Sequence, residues 1–119
     1  MPKNEFGSYL KSIREIKGTT QEQLGEAAGK KKMTISLIEN GKNDPPQGDF
    51  LEKIILALSL NSGEEYKLRD LAALPRGNIP SDILEYFKEN ESIRTVIRRA
   101  KSQGKKNADW QEIFTENTL

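Results

Sequence analysis

Between Thr20 and Pro46 the chain reads TQEQLGEAAGKKKMTISLIENGKNDPP, and the spacing of its apolar residues and glycines leaves few folds open. Thr20 followed three residues on by Gln23 is a capping-box pattern, so a helix starts there. Leu24, Ala27 and Ala28 turn inward on it, and Gly29 ends it as a left-handed C-terminal residue. A second short helix, over Lys32 to about Asn40, buries Ile35 and Ile38 and stops at Gly41. Pro45 and Pro46 both resist helix, which makes the segment from Asn43 a loop. The pattern predicts two short helices joined at a glycine, the second one opening on three lysines.

The flanks are helical as well. Phe6, Leu10, Ile13 and Ile16 recur at spacings of three and four, the mark of an amphipathic first helix that ends near Lys17-Gly18. Phe50, Leu51, Ile54, Ile55 and Leu58 form the stripe of a fourth helix. Ser62 is placed to cap a fifth, with Tyr66, Leu68, Leu71 and Ala72 available for packing. The prolines and glycine of Leu74-Pro75-Arg76-Gly77-Asn78-Ile79-Pro80 mark a boundary. Beyond it one helix holds Ile83, Leu84 and Phe87, and another, near Ser92 to Gln103, holds Ile93, Val96, Ile97 and Ala100. A last short segment holds Trp110, Ile113 and Phe114, an apolar cluster suited equally to sealing the tail or to a dimer contact.

Composition narrows the chemistry. Net charge is only +1 over 119 residues, so any pull on nucleic acid comes from a local patch. Lys30, Lys31, Lys32 and Lys42 supply one, with only Glu39 opposing them nearby. Cysteine and histidine are both absent, which excludes disulfides, thiolate nucleophiles, Cys/His zinc sites and imidazole acid–base chemistry. Asp44, Glu64 and Glu65 sit near turns without an acid–base pair or a phosphate-cradling loop, so an enzyme is disfavoured and no cofactor or metal is expected. No apolar run approaches the roughly 20 residues that span a bilayer. The segment Met1-Pro2-Lys3-Asn4-Glu5 has no apolar signal region, so the reading is a cytoplasmic protein without a membrane segment.

Two short helices joined at a glycine, with lysines opening the second, have the layout of a helix-turn-helix, which sets its second helix in the major groove of DNA. From Phe6 to about Leu60 the chain resembles the Xre family of helix-turn-helix domains, which includes lambda repressor and Cro. The marks are Leu10, Arg14, Gln21, Leu24, Gly29, then Ile35-Ser36, Ile38-Glu39-Asn40-Gly41-Lys42 and a following proline. The resemblance implies an all-α fold: a five-helix lambda-repressor-like domain over residues 1–74, with a C-terminal extension of two to three helices over 75–119.

The same resemblance implies a set of roles. Lys32, Met33, Ser36 and Leu37 hold the positions that the family turns towards bases. Lysine donates to guanine, serine serves either base type, and Met33 and Leu37 offer apolar surface to thymine methyls. Leu37 has a second reading, packing on a neighbouring helix. Thr20, Gln21, Lys30, Lys31, Asn40 and Lys42 are expected to contact the DNA backbone. Gln21 stands at a helix N-terminus that favours phosphate; its amide can contact the backbone or orient a recognition-helix side chain, and its plain alternative is an ordinary helix-start glutamine. A lysine run is otherwise only a solvated face. Arg14 and Glu39 correspond to a salt bridge that ties the first helix to the recognition helix. Gly25 falls where the family packs its helices closely.

The function implied is a sequence-specific DNA-binding regulator of transcription, a repressor acting on double-stranded DNA as a homodimer. Two alternatives stand beside it. One is an antitoxin whose apolar second half wraps a toxin; the other is a protein-binding adaptor using Met33 and Leu37 as its contact patch. The segment from Leu71 to Trp110 is also similar to C-terminal regions of small Xre-type regulators, some encoded beside metalloproteases that inactivate them. Leu74-Pro75, Ile83 and Asp109-Trp110 carry that likeness and add a protease to the candidate partners.

Overall fold

The structure, a computed structural model, describes residues 4–116, and side chains from 5 to 113. The side chain of Phe114, grouped by sequence with Trp110 and Ile113, lies outside the described residues. The described chain is all-helical. In order come α1 (Asn4–Ile16), α2 (Gln21–Ala28), α3 (Lys32–Glu39), α4 (Gly48–Ala57) and α5 (Ser62–Ala73). A 3₁₀ turn (Leu74–Arg76) follows, then α6 (Ser81–Glu89), α7 (Glu91–Ser102) and α8 (Asn107–Glu116). This is the expected five-helix domain followed by further helices. The chain forms two compact units, Met1–Ser81 and Asp82–Leu119, and the 3₁₀ turn falls inside the first.

One core holds the first unit together. Phe6, Leu10 and Ile13 of α1 meet Leu24 and Ala28 of α2, Ile35 and Ile38 of α3, Leu51, Ile54, Ile55 and Leu58 of the α4 segment, and Leu68 and Ala72 of α5. Each fully buried Leu, Ile or Phe contributes about 1.5–3 kcal/mol over leaving it exposed. Two side chains assigned inward by spacing are not. Ile16, the last residue of α1, is 75% exposed, because the helix stops there and the chain turns away at Gly18. Ala27 is exposed, and Gly25 is buried on α2 in its place.

Two glycines explain how closely the helices approach. A Cβ on Gly7 would stand 2.4 Å from the Ile38 carbonyl oxygen and 2.6 Å from that of Glu39, so only glycine lets α1 rest on the end of α3. A Cβ on Gly25 would stand 2.8 Å from the Lys30 carbonyl oxygen; the close approach is to the turn before α3.

The cap of α5 is Asn61, one residue before the serine chosen from sequence. Asn61 Oδ1 accepts from Glu64 N at 2.8 Å and Glu64 Oε1 accepts from Asn61 N at 3.0 Å, a reciprocal box that Ser62 is not placed to make. Arg69, buried on α5, donates Nη1 and Nη2 to the Glu52 carboxylate of α4 at 2.6 and 2.8 Å and Nε to Glu65 at 2.8 Å. That fork locks α4 to α5, and the hydrogen bonds to Glu52 raise the Arg69 pKa.

The second unit has a different character. No described side chain from Asp82 to Ile113 is buried. Ile83, Tyr86, Val96, Ile97, Trp110 and Ile113 are all at least 40% exposed. Among the described residues no helix is long and apolar enough to cross a membrane.

Candidate nucleic-acid interface

The interface is built by the α2–turn–α3 segment. Thr20 is extended and caps α2: its Oγ1 accepts from Gln23 N at 3.0 Å, and Gln23 Oε1 accepts from Thr20 N at 2.9 Å. Gly29, at φ 70°, sits in the left-handed region, where glycine avoids the clash a side chain would meet. Its N–H donates to Glu26 O, and Lys30 N–H donates to Gly25 O at 2.7 Å, which closes the helix. Lys31 then runs extended into α3 with no side-chain cap of its own.

From that turn α3 divides into two faces. Ile35, Ile38 and Glu39 point into the core, while Lys31, Lys32 and Met33 are exposed, Met33 to 66%. Ser36 and Leu37 are half-buried. Leu37 therefore falls between its two readings: Lys42 N–H and Asn43 N–H both donate to its carbonyl, at 2.9 and 3.1 Å, which brings the following turn alongside. Asn40 and Lys42 are exposed beyond the helix, and Asn40 Nδ2 reaches Ser36 Oγ at 3.4 Å. Lys30 lies with its ammonium 5.0 Å from the centre of the Phe50 ring, a cation–π contact with α4 that holds the root of the lysine run. A shallow depression of about 510 Å³ lies at the start of α2, where Gln21 and Glu22 share its lining with Lys32.

A buried carboxylate sets the pose of α3. Arg14 Nε donates to Glu39 Oε2 at 2.6 Å and Arg14 Nη2 to Glu39 Oε1 at 3.0 Å, a fork between α1 and the end of α3. Arg14 Nη1 donates onward to the Thr19 carbonyl at 2.9 Å, just before the α2 cap. Its hydrogen bond to Glu39 raises the Arg14 pKa against the opposing effect of burial. Gln21 Nε2 also donates to Glu39 Oε1, at 2.9 Å. One carboxylate thus gathers α1, the start of α2 and the end of α3.

The structure brings Thr20, Gln21 and Lys32 to one depression and leaves Lys30, Lys31, Met33, Asn40 and Lys42 exposed, while the buried Arg14–Glu39 pair ties α1 to α3. Sequence reasoning allowed Gln21 to orient a side chain of the recognition helix, and that side chain is Glu39; it missed the role of Gly7. For Gly7 the signal was present: a glycine in the first helix, three residues before Leu10, costs about 1 kcal/mol of helix propensity and calls for a packing reason. Among the described residues no three histidine, cysteine or acidic side chains are grouped to hold a metal ion.

Comparison with known proteins agrees with this geometry. A family model described as "Helix-turn-helix" matches residues 10–63, from Leu10 of α1 to the first turn of α5. The chain is also similar to an uncharacterized HTH-type transcriptional regulator of Bacillus subtilis (strain 168), RghRB. The two are 28% identical over 99 residues, a match that covers 83% of this chain and 68% of the relative.

Proposed function

From the premise that residues 10–63 are a helix-turn-helix domain of the Xre-like kind, we propose that this chain is a sequence-specific DNA-binding regulator of transcription. It acts in the cytoplasm as a repressor, binding a two-fold operator as a homodimer. The observation that carries the reading is the two-faced α3: Ile35, Ile38 and Glu39 fix one side while Lys32 and Met33 stand out on the other. A helix so held enters the major groove with its first turn leading.

In this reading Lys32, Met33, Ser36 and Leu37 meet base edges. Thr20, Gln21, Lys30, Lys31, Asn40 and Lys42 meet phosphates. Each phosphate neutralised adds about −0.9 to the slope of log K against log salt. One recognition helix covers only a few base pairs, so two copies on a two-fold site supply the remaining specificity. The relative's description as a transcriptional regulator supports the same reading.

Selection of bound duplexes from a random library tests it, followed by titration of the selected duplex at two salt concentrations. An enriched palindromic sequence with steep salt dependence is the result expected. A library that emerges unenriched overturns the proposal.

A further inference from the structure

Residues 82–113 leave Ile83, Tyr86, Val96, Ile97, Trp110 and Ile113 at least 40% exposed, and the charges around them point to what covers them. The apolar face of α7, formed by Ile93, Val96, Ile97 and Ala100, lines an open groove of about 830 Å³ together with Trp110 of α8. Lys101, Lys105 and Lys106 rim it. Arg98 and Arg99 add to the basic character of α7, whereas Arg94 is occupied by the Phe87 and Lys88 carbonyls at the end of α6.

The preceding helix carries the opposite pattern. On α6, Asp82, Glu85 and Glu89 fall within one helical arc by their three- and four-residue spacing. Exposed Tyr86 and Ile83 border that arc. Lys88 is the one basic residue on α6, and it pairs with Glu85 at 3.4 Å. Each copy of the chain therefore holds an acidic, apolar ridge on α6 and a basic-rimmed apolar groove on α7 and α8.

A small molecule in the groove would leave Ile83, Tyr86 and Ile113 in water, since none of them lines it. A nucleic acid would meet the lysines but not cover the apolar walls. We propose that the second unit is a self-association module, in which the α6 ridge of one copy seats in the α7–α8 groove of a second copy and the reverse contact forms by two-fold symmetry. Such an isologous pairing needs each copy to carry both complements, and this chain does. It covers apolar side chains at its centre and opposes unlike charges at its rim. The inference deepens the dimer invoked above by naming its interface, and its test omits DNA so that the two readings fail separately.

The test uses the full chain in sedimentation equilibrium, with the fluorescence of Trp110, the only tryptophan in the sequence, as a local reporter. The wild-type chain is expected to dimerise, and dilution to red-shift the Trp110 emission as the groove opens to water. Reversing the rim (K101E/K105E/K106E) or the ridge (D82K/E85K/E89K) should each weaken self-association by about tenfold or more. An equimolar mixture of the two reversed chains should recover a dimer, which also shows that both variants fold. A wild-type chain that stays monomeric overturns the proposal, as do reversed variants that dimerise normally or a mixture that fails to pair. A monomer whose groove binds duplex DNA or a different protein overturns it too. A chain that dimerises as described yet enriches no DNA sequence sinks only the regulator reading.

Discussion

Gln21 Nε2 donates to Glu39 Oε1 over 2.9 Å, joining the first residue of α2 to the last residue of α3. Because Arg14 forks onto the same carboxylate, the spacing between the two helices is set by a hydrogen-bonded charge as well as by the apolar contacts beneath it. The side chain of Gln21 is thereby held at the edge of the surface assigned to DNA.

Removing Glu39 should be costly for this reason. Glu39→Ala leaves Arg14, a residue only 8% exposed, without its carboxylate partner and with only the Thr19 carbonyl to accept from it. Breaking a buried pair from one side costs about 3–5 kcal/mol. Urea denaturation of the variant should show a loss of that size. Replacing both partners (Arg14→Leu with Glu39→Leu) should recover much of it, because no buried charge is then stranded. A single variant within about 1 kcal/mol of the parent would show that the pair is better hydrated than its burial indicates.

Two helical glycines should respond to alanine with opposite sign. At Gly63 an added Cβ meets only Asn61 Oδ1 at 3.6 Å, an ordinary contact, so Gly63→Ala should stabilise by up to about 1 kcal/mol through helix propensity. At Gly7 the Cβ would lie 2.4 Å from the backbone oxygen of Ile38, which cannot yield without moving α3. Gly7→Ala should destabilise by about 1–3 kcal/mol despite the same propensity gain. Thermal melting of the two variants beside the parent checks both signs.

Local rules made much of the domain legible. The Thr20–Gln23 box, the left-handed turn at Gly29 and the stripes on α3 and α4 follow from residues within four of each other, where spacing alone decides. The Arg14–Glu39 pair came from family resemblance, and the structure forms it. What escaped depends on elements meeting in space. Arg69 reaches Glu52 across 17 residues, and Gly7 is explained only once α3 lies against it. Ala27 is exposed because the short α2 buries a narrower arc than its apolar count suggests, and Ile16 because α1 ends there. Within the candidate interface, spacing separated the faces of α3 but left Leu37 between them, where it is half-buried.

Acid should weaken the fold through two carboxylates. Hydrogen bonds from Arg69 hold the Glu52 carboxyl below its ordinary value of 4.5, and the Asn61 backbone N–H, followed by Lys17, does the same for Glu64. A carboxyl whose pKa is depressed on folding binds its proton more readily in the unfolded chain. Its stabilisation is therefore fully present above about pH 4.5 and is lost as pH falls through the folded value. The melting temperature should hold through the neutral range and decline below that point. Glu52→Gln should lower the plateau and flatten the acid decline, because its share no longer titrates. A decline equally steep in Glu52→Gln and the parent would remove Glu52 from the account.

Contacts with phosphates and with bases leave different signatures, which separates the roles assigned along α3. Lys31 and Lys42 are exposed on either side of the helix. If each neutralises a phosphate, Lys31→Ala and Lys42→Ala should weaken binding to every duplex alike and reduce the salt slope by about one unit per site. Met33, 66% exposed on the leading turn, offers only apolar surface. Met33→Ala should leave the salt slope unchanged and flatten preference at one base pair, by about 1 kcal/mol for a lost thymine-methyl contact. Titrations of the selected operator and of single-base variants at two salt concentrations measure both quantities. A Met33→Ala protein that keeps every base preference would take that side chain off the DNA and return it to the protein-contact reading, whereas an unchanged slope in Lys31→Ala would leave the lysine run a solvated face.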